Sequence, residues 1–157
     1  VDDIDNRLLD LLQHDAGRTL FELGELVGLS PSAVQRRIAR YRADGVIARE
    51  VAVLDPRRLG AVVLATVLVT LLHETVGQHA AFAEKMHRTP QVQQCYSVAG
   101  PYDYVVILSA ASVHECGLLG NRLFKDDDNV KRYETLMVFD TVKAGLAIPL
   151  GEARHQG

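Results

Sequence analysis

The 157-residue sequence predicts an α+β protein in two parts, a three-helix head followed by a sheet unit of order β-α-β-β-α-β. Three observations predict it. Apolar residues near the start recur at helical spacing and are interrupted by a glycine-containing turn. From Ala61 the pattern changes to β-branched apolar runs separated by two helical stretches. Capping residues, glycines and prolines fall at the junctions, where each element must begin or end.

Asp2 and Asp3 stand where acids favour the positive end of a helix dipole. Ile4, Leu8, Leu11 and Leu12 then share one helical face, which ends near His14 ahead of Ala16-Gly17. Thr19-Leu20-Phe21-Glu22 has the form of a capping box and opens a short helix with Leu20, Leu23 and Val27 on one side. It stops at Gly28-Leu29-Ser30. Ser30 suits an N-cap and Pro31 the first helical position, where a missing N–H is harmless. The third helix runs to about Asp44 with Val34, Ile38 and Tyr41 inward, and Gly45 closes it. Small Gly24 is expected where two helix backbones cross closely. Val46–Leu54 reads as a short strand pair or wing. The head is thus a winged helix-turn-helix domain over residues 1–54, followed by a linker over 55–60.

The second part, 61–157, has the ferredoxin-like order. Ala61–Leu72 is apolar at consecutive positions, as in a strand covered on both faces. Thr75-Val76-Gly77-Gln78 reads as a capping box for a helix to about His87, with Phe82, Ala83 and Met86 inward. Val92–Ala99 and Tyr104–Ala110 read as strands joined by the turn Gly100-Pro101-Tyr102-Asp103. Ser112-Val113-His114-Glu115 reads as a further capping box, with Cys116, Leu119 and Leu123 inward along its helix. Val130–Val142 is the last long strand, and Leu146–Leu150 the one strand-like stretch of the tail.

Hydrophobic residues make up 48% and charged residues 24%, a globular balance that argues against disorder. The longest apolar run falls well short of the roughly 20 residues a membrane helix needs, and no basic-then-apolar leader opens the chain, so a cytoplasmic location is expected. Cys95 and Cys116 lack CxxC spacing and read as small buried hydrophobes. The six histidines lack metal-site spacing, and Asp126-Asp127-Asp128 lacks the alternation of a calcium loop. No phosphate-binding loop, dinucleotide fingerprint or nucleophile elbow occurs. Neither a metal, a cofactor nor an enzymatic activity is expected.

The net charge of −3 hides an uneven distribution. Residues 1–29 carry two Arg against seven acids, a net of −5, whereas 30–58 carry seven Arg against three acids, a net of +4. A local cationic patch is what phosphates respond to. With Val34, Ile38 and Tyr41 inward, the third helix turns Ser32, Gln35, Arg36 and Arg40 outward, with Arg37 near the edge. Ser32, Ala33, Gln35 and Arg36, near the helix start and next to Ser30, are the candidates for reading base edges of double-stranded DNA in the major groove. Arg37, Arg40 and Arg42 are the candidates for phosphates.

The opening stretch, with GLSPSAVQRRI and ADGVI as its most specific pieces, closely resembles the Lrp/AsnC (feast/famine) regulators. The resemblance continues through GPYDY and YETLMVFDTVK and covers nearly the whole chain. It implies a DNA-binding transcriptional regulator whose second part is the family's RAM domain, pairing through its sheets into homodimers that often join into tetramers or octamers. It also implies a small-molecule effector, commonly an amino acid, bound between dimers. By matching motif, the effector pocket would include Gly100, Pro101, Tyr102, Asp103 and Thr135. Asp103 suits an ammonium, and turn amides near Gly100 suit a carboxylate. Pro101 and Tyr102 depart from the often acidic or small residues found there, which leaves the ligand open. Two alternatives stand beside this reading. One is an effector-independent protein that organises DNA. The other is an enzyme like the haem-precursor decarboxylases of similar fold, whose His, Tyr and Arg cluster is unmatched by QQCYSVAGPYDYVVI, which holds neither His nor Arg.

Overall fold

The structure is a computed structural model and describes residues 2–150; His155, read above with the other histidines, lies outside that range. The chain divides into two compact units: residues 1–53 together with the segment from Lys143 onward, and residues 54–142. The sequence predicts a single domain over 61–157. The difference lies in the tail, which packs with the head.

In the first unit, helices α1 (Asp3–His14), α2 (Leu20–Val27) and α3 (Pro31–Ala43) enclose Leu8, Leu23, Val27, Val34, Ile38 and Tyr41. Asp2 caps α1, accepting from the Asp5 amide while the Asp5 carboxylate accepts from the Asp2 amide. Asp2, expected as a helix-start acid beside Asp3, thus forms a capping box with Asp5, which the sequence does not single out. The expected box of Thr19 and Glu22 forms on α2. Gly28 ends that helix at φ 74°, a left-handed conformation that glycine adopts without a side-chain clash. A Cβ on Gly24 would stand 2.4 Å from the Leu29 carbonyl oxygen. The close approach expected at Gly24 is real, but its partner is the turn backbone rather than the third helix. Residues 46–54 form no wing: among the described residues of this unit there is no strand, and Val51, Val53 and Leu54 are exposed. The reason is physical, since no strand edge of the unit lies alongside to satisfy that backbone. Asp55 then caps a single 3-10 turn, Pro56–Arg58.

The second unit holds a four-stranded antiparallel sheet in the order β2-β3-β1-β4, with β1 (Val63–Leu71), β2 (Val92–Ser97), β3 (Tyr104–Ala110) and β4 (Val130–Met137). Helices α4 (Val76–His87) and α5 (Val113–Gly120) cover one face, where Val67, Val69, Val106 and Leu108 meet Phe82, Met86, Leu119 and Phe124. This is the ferredoxin-like α+β arrangement predicted above. Only one face of β1 is fully buried; Leu64, Thr66, Leu68 and Thr70 are half-buried on the other. The expected cover on both faces is thus incomplete within one chain. The last strand ends at Met137, opposite Ala65, and not at Val142; past it only the Val138 amide still meets β1, donating to the Leu64 carbonyl at 2.9 Å.

Two predicted capping boxes form only in part. Thr75 accepts from the Gln78 amide without a return bond, and the Glu115 carboxylate reaches Ala111 rather than the cap Ser112. Helix α5 continues into a π-turn, Asn121–Lys125, which buries Leu123 and Phe124 together. The stretch 146–150 is no strand; its backbone is met instead by a side chain of α1.

Candidate nucleic-acid interface

Helix α3 begins at Ser30, whose Oγ accepts from the Ala33 amide at 3.3 Å and lies 3.2 Å from the Ser32 Oγ. Pro31 fixes the first turn. Burial of Val34, Ile38 and Tyr41 against α1 and α2 fixes which face is left outward. On that face Ser32, Gln35, Arg36 and Arg40 are exposed, as predicted, while Ala33 and Arg37 are half-buried. The helix start, with its unpaired amides and positive dipole end, therefore lies beside Ser32, Gln35 and Arg36.

The arginines are not equivalent. Arg42 pairs with Glu50 at 2.9 Å, and Arg57 and Arg58 flank Asp55. Arg37 donates from Nη1 to both Asp2 oxygens, at 3.1 and 3.0 Å, and to Asp5 Oδ1 at 2.5 Å. Arg40 donates from Nη2 to both Asp5 oxygens, at 2.8 and 2.9 Å, and its guanidinium carbon lies 5.5 Å from the Tyr41 ring centroid. Of the seven arginines in 30–58, only Arg36 and Arg49 have no carboxylate partner among the described residues. Glu50 and Asp55 are already counted in the segment's +4, and Asp2 and Asp5 from the start of the chain halve that excess in space.

Asp5 is the residue that sequence reasoning missed. It is 3% exposed and accepts from Arg37, Arg40, the Tyr41 hydroxyl and the Asp2 amide, which saturates the carboxylate. Burial alone would raise its pKa. The bonds from Tyr41, Asp2 and Arg37, with the charge of Arg37, more than reverse this and hold the carboxyl well below its usual range. Burial and the neighbouring Asp5 push the Tyr41 hydroxyl up to about 12. A signal was present in the sequence: Asp5 stands three residues before Leu8, on the apolar stripe of α1, where a lone charge needs partners.

The effector candidates lie in the other unit. Gly100, at φ 146°, and Pro101 are exposed at the turn between β2 and β3. The Tyr102 hydroxyl donates to Glu134 on β4 at 3.0 Å, with the Arg132 guanidinium 5.9 Å from the Tyr102 ring centroid. Asp103 is tied to β1: its amide donates to the Val69 carbonyl at 2.8 Å and its Oδ2 accepts from the Leu71 amide at 2.7 Å. Glu74 lies beside Asp103, whose carboxylate raises the Glu74 pKa. Thr135 is on β4 opposite Val67, hence on the helix-covered side, whereas adjacent Glu134 takes Tyr102 on the other side. One copy of the chain thus brings Gly100 to Asp103 together but leaves Thr135 across the sheet. A shallow cleft of about 780 Å³ lies elsewhere, lined by Lys85, Arg88, Gln91 and Arg122 among others. His79 is satisfied by the Tyr104 hydroxyl at 2.6 Å, as a structural histidine should be. Among the described residues no group of three or more His, Cys, Asp or Glu is placed to hold a metal, and no helix is long and apolar enough to cross a membrane.

Comparison with known proteins places these features. Residues 1–42 match the AsnC-type helix-turn-helix domain, and residues 64–148 match the Lrp/AsnC ligand binding domain. A glutamate uptake regulatory protein of Zymomonas mobilis is 35% identical over 97% of this chain and 92% of its own. An uncharacterized HTH-type transcriptional regulator of Sinorhizobium fredii is 34% identical over 96% of this chain and 89% of its own. Among solved structures, an AsnC family transcriptional regulator from Agrobacterium tumefaciens superimposes with a TM-score of 0.87 at 25% identity, covering 95% of this chain and 97% of its own. With two domain matches that together span most of its length, the chain belongs to the Lrp/AsnC family.

Proposed function

We propose that the chain is a sequence-specific DNA-binding transcriptional regulator, working in the cytoplasm as a homodimer or a larger assembly of dimers. Helix α3 enters the major groove by its N-terminal half, with Ser32, Gln35 and Arg36 at base edges and Arg40 at the phosphates. Ser30 supports the helix start, and half-buried Ala33 lies against the groove wall. The single observation that carries this reading is Arg36, exposed on the outward face of α3 with no carboxylate partner among the described residues. An arginine so placed is free to meet guanine bidentately.

An amino acid or related small molecule is the proposed effector, taken at Gly100, Pro101, Tyr102 and Asp103 and completed by Thr135 of a second copy. Support comes from the match of 64–148 to a ligand binding domain and from the carboxylates of Glu74 and Asp103 side by side, which suit an ammonium. Such an effector acts only through its different affinity for two assembly states.

The test of the DNA reading is selection of duplexes from a randomised pool, followed by mobility shift of the selected and a scrambled duplex. Arg36→Ala is expected to reduce discrimination between them by about 10- to 100-fold, the loss of one bidentate base contact. Undiminished discrimination would remove α3 from the base-reading role.

A further inference from the structure

A helix that must bind phosphates ought not to have its cations neutralised, yet Asp5 of α1 takes two of them. The geometry resolves the conflict. Arg37 donates from one nitrogen only, Nη1, shared between Asp5 and the more exposed Asp2, but it is 23% exposed and so the more withdrawn of the two arginines. Arg40 is 51% exposed and contributes only Nη2 to Asp5. Its Nη1 and Nε donors have no partner among the described residues, and they extend from a guanidinium already fixed on one side by a buried carboxylate and on another by the Tyr41 ring. An arginine tethered in this way loses less freedom on meeting a phosphate than one on a free stem.

We propose that Asp5, which lies too deep to touch DNA, is a positioning residue for DNA binding: it presents Arg40 to the phosphate backbone and withdraws Arg37 into the scaffold of the head. This rests on the DNA-binding reading above. The four residues Asp2, Asp5, Arg37 and Arg40 form a neutral set, so the device adds orientation rather than net charge. Tyr41 completes it by donating its hydroxyl to Asp5 from the buried side of α3, which locks α1 to the helix whose arginine it aims.

The test uses the full chain and a mixed-sequence duplex at low salt, where binding reports phosphate contacts without knowledge of the operator. The readout is the slope of log affinity against log salt concentration. Arg40→Ala is expected to lower the slope by about one contact, and Arg37→Gln to leave it unchanged. Asp5→Asn is expected to lower the slope as Arg40→Ala does, and Arg40→Ala is expected to add nothing further in that background. Three results overturn the inference. An Asp5→Asn slope equal to the parent's, with the full Arg40→Ala effect retained, makes Asp5 mere packing. A steeper slope and tighter binding in Asp5→Asn make Asp5 a competitor of phosphate. Equal slope losses for Arg37→Gln and Arg40→Ala deny the division of labour. Should Asp5→Asn fail to fold, Asp5→Glu keeps the charge but displaces the carboxylate by one methylene, and its slope is read by the same three criteria. A parent protein that binds no duplex at all sinks the DNA reading; a binding parent with any of the three results sinks this inference alone.

Discussion

Gln13 holds Ile148 as a neighbouring strand would: its Nε2 donates to the Ile148 carbonyl at 2.8 Å and its Oε1 accepts from the Ile148 amide at 2.9 Å, across 135 residues of chain. A side-chain amide here satisfies both backbone polar groups of one residue in a segment that has no ladder of its own. Each bond contributes about 1 kcal/mol at most, because the site is exposed. Gln13→Ala is therefore expected to leave the melting temperature almost unchanged while releasing the tail. Hydrogen exchange at the Ile148 amide should accelerate severalfold; unchanged protection would mean that something other than Gln13 holds the segment.

The α2–α3 turn depends on two glycines for different reasons. At Gly24 a Cβ would meet the Leu29 carbonyl oxygen at 2.4 Å, and that backbone cannot move without opening the turn, which also uses the Gly24 carbonyl to accept the Gly28 and Leu29 amides. At Gly28 there is open space, and the difficulty is the positive φ alone. Gly28→Ala is expected to destabilise by about 1 kcal/mol. Gly24→Ala should be worse, by about 2 kcal/mol or more, as overpacking against backbone. Thermal melts of the two variants check the ranking, which a milder Gly24→Ala would reverse.

How far the sequence revealed this architecture depends on the range of the forces involved. Helix faces and strand alternation are local, so Val34, Ile38, Tyr41 and all of Tyr104–Ala110 were legible from spacing alone. The Asp5 network was not, because its partners lie 32 to 36 positions away and segmental charge counting separates them. The extent of the last strand and the absence of a wing were illegible for a related reason: the apolar, β-branched composition of 138–142 and 46–54 suits a strand but does not say how far its pairing runs. The position of Thr135 across the sheet from Tyr102 follows from pairing register, which a single strand's sequence leaves unspecified.

Acid stability of the head follows from Asp5. Its pKa is lowered from 3.8 on folding, so its contribution to stability is fully present above the unfolded value and is lost as pH falls below about 4 toward the folded value. Its arginine partners remain partly open to water, so loss of the Asp5 charge costs about 2 kcal/mol rather than the larger penalty of a fully buried pair. Asp5→Asn is expected to lower stability near neutral pH and to flatten its decline between about pH 4 and 2. Denaturant titrations of the parent and variant over that range check it; parallel pH profiles would show that another carboxylate governs the acid limb.

The effector prediction turns on a double duty of Asp103. Its Oδ2 receives the Leu71 amide, so Asp103→Ala would disturb β1 as well as any ligand. Asp103→Asn keeps an oxygen for that amide and removes only the charge. A hydrogen bond from the protonated Glu74 carboxyl to Asp103, and then the repulsion between the two charges, raise the Glu74 pKa, and an ammonium placed beside them favours the ionised pair instead. An amino-acid effector held there should bind more tightly as pH rises through the raised Glu74 range, and should raise the melting temperature of the parent by mass action. In Asp103→Asn the same amino acid should give little or no shift, with the unliganded melting temperature close to the parent's. A thermal-shift series over the free amino acids measures both quantities. An undiminished shift in a stable Asp103→Asn protein would place the ammonium elsewhere and leave Asp103 as the clasp of β1 alone.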